Sequence, residues 1–351
     1  MRSLTPTFLN RLSFTSGDLG AIARIGEFRG RQDLYRRQTP ETLKALQVFA
    51  IIESSESSNR LEGIRAPRER IERLVRRDAT PRGRSEQEIA GYRDVLRLIH
   101  KSAPDMPFSP NLVLQLHRMM YSYLPQPGGS WKMTDNEIVE IDPVTGERRV
   151  RFRPLPAVVV PQAMEDLAAG CRGSLQEQAG EPLVVVPLTI LDLLCIHPFT
   201  DGNGRISRLV TLLLLYQHGY EVGRFISLER VFEDAKEGYY ESLQSASTGW
   251  HQAEHDVMLW LRYFWGVLLR AYEEFASRVG VLGRHKGAKS EFVREAALAR
   301  IAPFRLSELE RDCPGVSREL IKRVLRQLKA ERSLLVEGRG AGARWRRVSD
   351  D

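Results

Sequence analysis

His197-Pro198-Phe199-Thr200-Asp201-Gly202-Asn203-Gly204-Arg205-Ile206-Ser207-Arg208 lies between two apolar runs, Leu183 to Ile196 and Ile206 to His218, which read as buried helices. So much chemistry between two apolar helices points to a ligand. Gly202 and Gly204 let the backbone approach closely. They stand at a helix start, where free N–H groups and the dipole favour a phosphate. Arg205 and Arg208, at i and i+3, share one face of that first turn. Cations are unfavourable there unless an anion sits between them and the dipole. Asp201 offers a hard oxygen of the kind that holds Mg²⁺ together with phosphates. His197 titrates near neutrality and can take a proton from a hydroxyl. The residues read as a nucleotide phosphate site with a metal ligand and a general base.

Other phosphate and metal motifs do not fit. Gly-Lys-Ser/Thr is missing, so this is not a P-loop, and no His-Glu-x-x-His occurs. The positions after Asp201 do not follow an EF-hand, which needs Gly where Ile206 stands. A capped turn with a surface Arg pair would account for any one of these residues, but not for the twelve together. The string resembles the His-Pro-Phe-x-Asp/Glu-Gly-Asn-Gly-x-x-x-Arg signature of Fic (filamentation induced by cAMP) proteins, with every position filled. The family pattern extends over roughly residues 40–280. The resemblance implies transfer of AMP from ATP to a side-chain hydroxyl of a target protein, with self-adenylylation. It makes His197 the base and Asp201 the Mg²⁺ ligand. Gly202, Asn203 and Gly204 would cradle the α- and β-phosphates beside Arg205, Arg208 would hold the γ-phosphate, and Phe199 would anchor the loop by packing.

Upstream, Thr39-Pro40-Glu41 is a helix start, followed by Leu43, Leu46, Phe49, Ala50 and Glu53 at helical spacing up to Gly63. Ser58 and Glu62, four apart near its end, share a face. Read alone, they are a polar face ending at a Gly cap. Beside the signature, Ser58 to Gly63 resembles the family's inhibitory motif, Ser/Thr-x-x-x-Glu-Gly/Asn. That implies that Glu62 pairs with Arg208, takes the place of the γ-phosphate and keeps the resting enzyme weakly active.

Further helices are expected over 86–103, 112–120, 161–171, 235–246 and 255–279, with a Gly-bearing linker at 280–290. Asn136 to Val139 and Arg149 to Phe152 flank Asp142-Pro143-Val144-Thr145-Gly146, a hairpin signal. By resemblance this hairpin, about 136–153, is a flap that binds the target as an added strand. Tyr239 and Tyr240 stand where the family places a Tyr pair against adenine, one expected to reach the nucleotide and the other to pack. After the linker, Leu306 to Leu309, the turn Pro314-Gly315-Val316-Ser317, the amphipathic run Arg318 to Arg332 and two short extended runs around Gly338-Arg339-Gly340-Ala341-Gly342 resemble a winged helix.

Charge supports a separate C-terminal module. Residues 281–351 hold 17 Lys+Arg against 10 Asp+Glu, which accounts for the whole net charge of +7. Such a module fits DNA contact and equally a docking or dimerising role. Apolar runs are all interrupted, so no membrane span is expected, and no signal peptide is visible. Three scattered cysteines fit a reducing cytoplasm.

The expectation is a mostly α fold: an N-terminal helical region over 1–105 carrying the inhibitory helix at about 40–63, a Fic core with its hairpin over 106–280, and a winged-helix-like domain over 285–351. The leading function is an autoinhibited protein adenylyltransferase using ATP and Mg²⁺. The alternatives are removal of AMP or transfer of another nucleotide, and a DNA-binding regulator whose core senses nucleotide. The target protein is not named by the sequence, and neither is a homo-oligomeric state.

Overall fold

The apolar helix before the signature carries a proline in its middle. In the computed structural model Pro182–Ile196 is continuous and buried almost throughout, with Pro187 inside it. Proline has no N–H for the carbonyl four residues back. That carbonyl, Leu183 O, instead accepts from Trp265 Nε1 at 2.7 Å, and Pro187 O accepts from Trp260 Nε1 at 2.8 Å. Both indoles come from the helix Met258–Gly283 and are fully buried. They satisfy polar groups that would be costly to bury unpaired.

The structure describes residues 2–347 apart from 39, 142–145, 178–179, 284–287, 299, 301–302, 314–315, 332 and 339–341. The chain divides into two compact units, the first from residues 1–29 and 50–272, the second from 30–49 and 273–351. Helices dominate, as expected. No helix among the described residues is long and apolar enough to cross a membrane. Cys171, Cys195 and Cys313 are buried and unbridged.

In the first unit Pro182–Ile196 packs against Asn203–Gln217, the helix that follows the signature. Arg84–Ser102, Pro110–Met120 and Val160–Arg172 pack around this pair. Ser109 caps Pro110–Met120 by accepting from Leu112 N at 3.2 Å. The expected hairpin is present: Ile138–Ile141 pairs antiparallel with Arg148–Phe152. Its expected turn, Asp142 to Thr145, lies outside the described residues.

Several helices were not expected, among them Pro6–Leu9 and Ala288–Leu298. Ser16–Gln38 shows no apolar stripe. Arg68–Arg76 is charged, but buries Ile71, Leu74 and Val75 along one side. Leu228–Asp234, capped by Ser227, is too short to show a period.

In the second unit the order is Ala288–Leu298, a short strand Phe304–Arg305, the helices Leu306–Asp312 and Arg318–Ala330, and the strands Leu334–Glu337 and Arg344–Arg347. Arg344–Arg347 lies between the other two strands, antiparallel to both. Phe304–Arg305 is an addition to the expected helix–turn–helix–hairpin. Ile321, Val324, Leu325 and Leu328 turn inward onto a core with Val293, Phe304, Leu309 and Cys313, while Arg323, Arg326 and Lys329 stay exposed. The expected turn at Pro314-Gly315, the cap at Thr39 and the wing residues 339–341 lie outside the described residues. The expected linker is largely helix at its ends: Met258–Gly283 runs past 280 and Ala288 opens the next helix, with 284–287 outside the described residues.

Candidate active site

The helix Pro182–Ile196 ends at His197, whose backbone is left-handed (φ 52°) and turns the chain into the signature loop. His197 N closes the helix on Leu193 O at 3.0 Å, and Nδ1 faces Leu194 O at 3.2 Å. A ring nitrogen facing a carbonyl carries the proton, which leaves Nε2 as the acceptor. Burial, helped by the charges of Lys132 and Arg151, lowers the imidazole pKa to about 4, against the Leu194 carbonyl and Glu62. His197 is therefore neutral at pH 7, with a basic nitrogen.

The loop is held by its own residues and by two segments earlier in the chain. Asn203 Nδ2 donates to Phe199 O at 2.8 Å, and Asn203 Oδ1 accepts from Phe199 N at 2.9 Å. The amide oxygen and one amide N–H are thus engaged inside the loop. Phe199 is buried and stacks on His117 with ring centroids 3.7 Å apart. His117 Nδ1 accepts from Gly129 N at 2.8 Å, so Nε2 donates to Asp201 O at 3.1 Å. Lys132 N donates to Pro198 O at 2.8 Å. Sequence reading did not single out His117 or Lys132. They carry no motif, and only the fold brings them to the loop.

Gly202 (φ 84°) precedes the helix Asn203–Gln217 in a conformation suited to glycine. The first N–H groups of that helix have no partner within it. Asp201 Oδ1 accepts from Gly202 N at 2.7 Å, and Oδ2 accepts from Tyr121 Oη at 2.8 Å and Arg205 Nη2 at 3.3 Å. Burial would raise the Asp201 pKa, but Tyr121 and Arg205 bring it below its ordinary value. Its side chain stays 59% exposed. An ionised carboxylate, oriented on one side and open on the other, fits one protein ligand to a hydrated Mg²⁺ that also takes phosphate oxygens. Among the described residues no cluster of three or more His, Cys, Asp or Glu forms an all-protein metal cage.

The two signature arginines part ways. Arg205 is buried and donates to Glu88 Oε2 at 2.6 Å, besides its contact with Asp201. Its guanidinium holds Asp201 from behind, where the family resemblance put it beside the phosphates. Arg208, also buried, donates from Nε to Ser58 Oγ, and from Nη2 to Ser58 O and to Glu62 Oε1, each at 2.8 Å. Gly204 provides the room for this pair: a Cβ there would come within 2.2 Å of Glu62 Oε1. Deeper in, the buried Glu229 accepts from Ser54 Oγ and Tyr92 Oη, each at 2.7 Å. This ties the Pro40–Leu61 helix, two turns before Glu62, to the unexpected helix Leu228–Asp234.

Glu62, His197, Gly204 and Arg208 line one cavity of about 170 Å³. Tyr239 and Tyr240 line it too. Tyr239 is buried and Tyr240 is 41% exposed. Leu191, Leu194, Cys195 and Leu243 form an apolar wall, and the hairpin adds Ile138, Arg151 and Phe152. Phe152 stacks on His251 at 5.4 Å, which fixes the hairpin's second strand at that end.

Residues 107–215 match the sequence profile of the Fic/DOC family, so the chain carries a Fic domain. Solved structures share the fold. A Fic family protein from Desulfovibrio desulfuricans G20 has a TM-score of 0.61 at 20% identity, over 97% of this chain and 98% of that one. A Fic domain containing signaling protein from Bacteroides thetaiotaomicron VPI-5482 has 0.62 at 20% identity, over 75% and 100%. Fic-1 (residues 134–508) from C. elegans has 0.57 at 18% identity, over 76% and 73%.

Proposed function

We propose that this Fic domain is a protein adenylyltransferase, held in a weakly active state by Glu62. The observation that carries the reading is the Glu62–Arg208 ion pair standing in the same cavity as a neutral His197. His197 Nε2 takes the proton of a target hydroxyl, and the hydroxyl oxygen bonds to the α-phosphorus of ATP. The bond from that phosphorus to the bridging oxygen breaks and pyrophosphate leaves. The backbone N–H groups that open the helix Asn203–Gln217 stabilise charge on the phosphates. Arg208 is the counter-charge for the γ-phosphate, and Glu62 competes with it for the same guanidinium. Asp201 would hold Mg²⁺, which when bound neutralises charge on the phosphate chain. The apolar wall with Tyr239 and Tyr240 receives the base, and the hairpin lines up the target.

Label transfer from α-phosphate-labelled ATP to the protein itself, and to a candidate target, tests the reading. Glu62→Gly should label strongly and wild type weakly. His197→Ala in the Glu62→Gly background should lose ~10²–10⁴-fold in rate while still binding ATP. Near-normal labelling by the His197→Ala protein would contradict the proposal.

A further inference from the structure

In the hairpin, Phe152 pairs with Ile138 and Val150 with Val139, so Arg151 stands opposite no residue. An extra residue of this kind is a β-bulge, which re-aims a side chain. The neighbouring arginines point elsewhere. Arg148 and Arg153 are largely exposed and approach Glu137 at 3.9 and 3.3 Å, and Arg149 is exposed. Arg151 is half-buried and lines the cavity with His197, Tyr240 and Arg208. Its Nε is buried without a hydrogen-bond partner. Among the described residues no carboxylate lies within ion-pair distance of it.

The charges lining the cavity therefore do not cancel. Arg208 and Glu62 neutralise one another, His197 is neutral, and Arg151 remains as a cation with a buried, unmatched donor. A guanidinium whose buried N–H lacks a partner calls for an anion. Its charge is also felt, as the smallest of several causes, by His197, Cys195 and Tyr240, so it acts at the His197 end of the cavity. At that end the target oxygen must meet the α-phosphorus.

We infer that Arg151 is a further substrate-contacting residue, a bulged hairpin arginine that binds the α-phosphate oxygens of the nucleotide and stabilises their charge during transfer. This rests on the adenylyltransferase reading and adds a hairpin residue to it. Arg208 holds the end of the phosphate chain that leaves, and Arg151 the phosphate that is passed on.

The test uses the full chain carrying Glu62→Gly, with Arg151→Ala or Arg151→Lys added, and adenosine and AMP as probes. Arg151→Ala should weaken AMP binding by about tenfold and leave adenosine within twofold, because only AMP presents the phosphate. It should lower kcat for self-labelling by ~10²-fold, the scale of one lost charge-stabilising donor. Arg151→Lys should restore much of the AMP affinity and less of kcat. Three results would overturn the inference: unchanged AMP binding and kcat; equal weakening of AMP and adenosine, which marks a packing role; or a raised KM for a protein target with AMP binding intact. If the Glu62→Gly chain transferred no label, the adenylyltransferase reading would fall, while the adenosine and AMP comparison would still decide whether Arg151 binds the phosphate.

Discussion

Arg205 and Arg208 leave the same helical turn, three residues apart, and both are buried and ion-paired. Their partners differ. Glu88 is 6% exposed, and Arg205 also braces Asp201. Glu62 is 33% exposed and stands just past the helix Pro40–Leu61, in the turn that ends at Gly63. Breaking a deeply buried pair leaves an uncompensated charge away from water. Breaking a pair with one open member lets the released carboxylate return to solvent, and on the proposed reading the arginine then takes a phosphate instead. The same chemistry thus serves as scaffold on one side and as an exchangeable contact on the other, and the accessibility of the carboxylate decides which.

The comparison is broken most directly by removing each acid. Glu88→Ala should cost about 3–5 kcal/mol, read as a fall in Tm of roughly 10 °C, with transfer lost alongside. An unchanged Tm would mean that Arg205 is no scaffold. Glu62→Gly should leave Tm within a few degrees and raise self-labelling roughly 10–100-fold, the equivalent of about 1.4–2.7 kcal/mol. Arg208→Ala should not mimic it, because the γ-phosphate then loses its partner as well. Activation by Arg208→Ala equal to that of Glu62→Gly would show that the pair blocks only by bulk.

Acid sharpens the contrast from another direction. Burial lowers His117 and His197 to about 4 and His100 to about 3, against an ordinary value of 6.5. The unfolded chain therefore binds more protons in this window. The stability from these neutral histidines is complete above about pH 6.5 and is lost as pH falls toward 4. Tm should drop between pH 7 and 5, and less steeply in His117→Gln. Self-labelling by the Glu62→Gly protein should show no titration of His197 between pH 6 and 8. A Tm constant down to pH 5 would refute this. The smallest effect expected is that of Tyr121→Phe, which removes one hydrogen bond of about 1 kcal/mol from Asp201. It should raise the Mg²⁺ concentration needed for half-maximal labelling by several-fold and leave Tm nearly unchanged.

The loop could be read from its sequence because its parts are consecutive: glycines, arginines, the aspartate and the histidine occupy one turn and its approach. The Ser58 and Glu62 face was legible for the same reason, by helical spacing. The partners of Arg205 and Asp201 were not. Glu88 is 117 positions from Arg205 and Tyr121 is 80 from Asp201, and nothing local to either marks it. Asn203 shows a different limit. Its side chain satisfies the backbone of Phe199 four residues earlier, a capping role that spacing does not separate from ligand binding. In the hairpin, the two strands were legible from their extended runs. The bulge at Arg151 was not, because register depends on how the strands meet and not on either strand alone.

Gly204 has a consequence for how mutations at this site would distribute. Any side chain at that position would meet the Glu62 carboxylate, and on the proposed reading the same side chain would stand where the phosphates bind. A substitution there displaces the restraint and obstructs the substrate at one stroke, so it cannot yield a released enzyme. Selection for hyperactive variants should therefore return changes on one partner only, at Glu62, Ser58 or the helix that carries them, and never at the glycine that receives it. A spectrum of gain-of-function alleles confined to one side of a contact would be the genetic imprint of a single atom-sized space shared by control and catalysis.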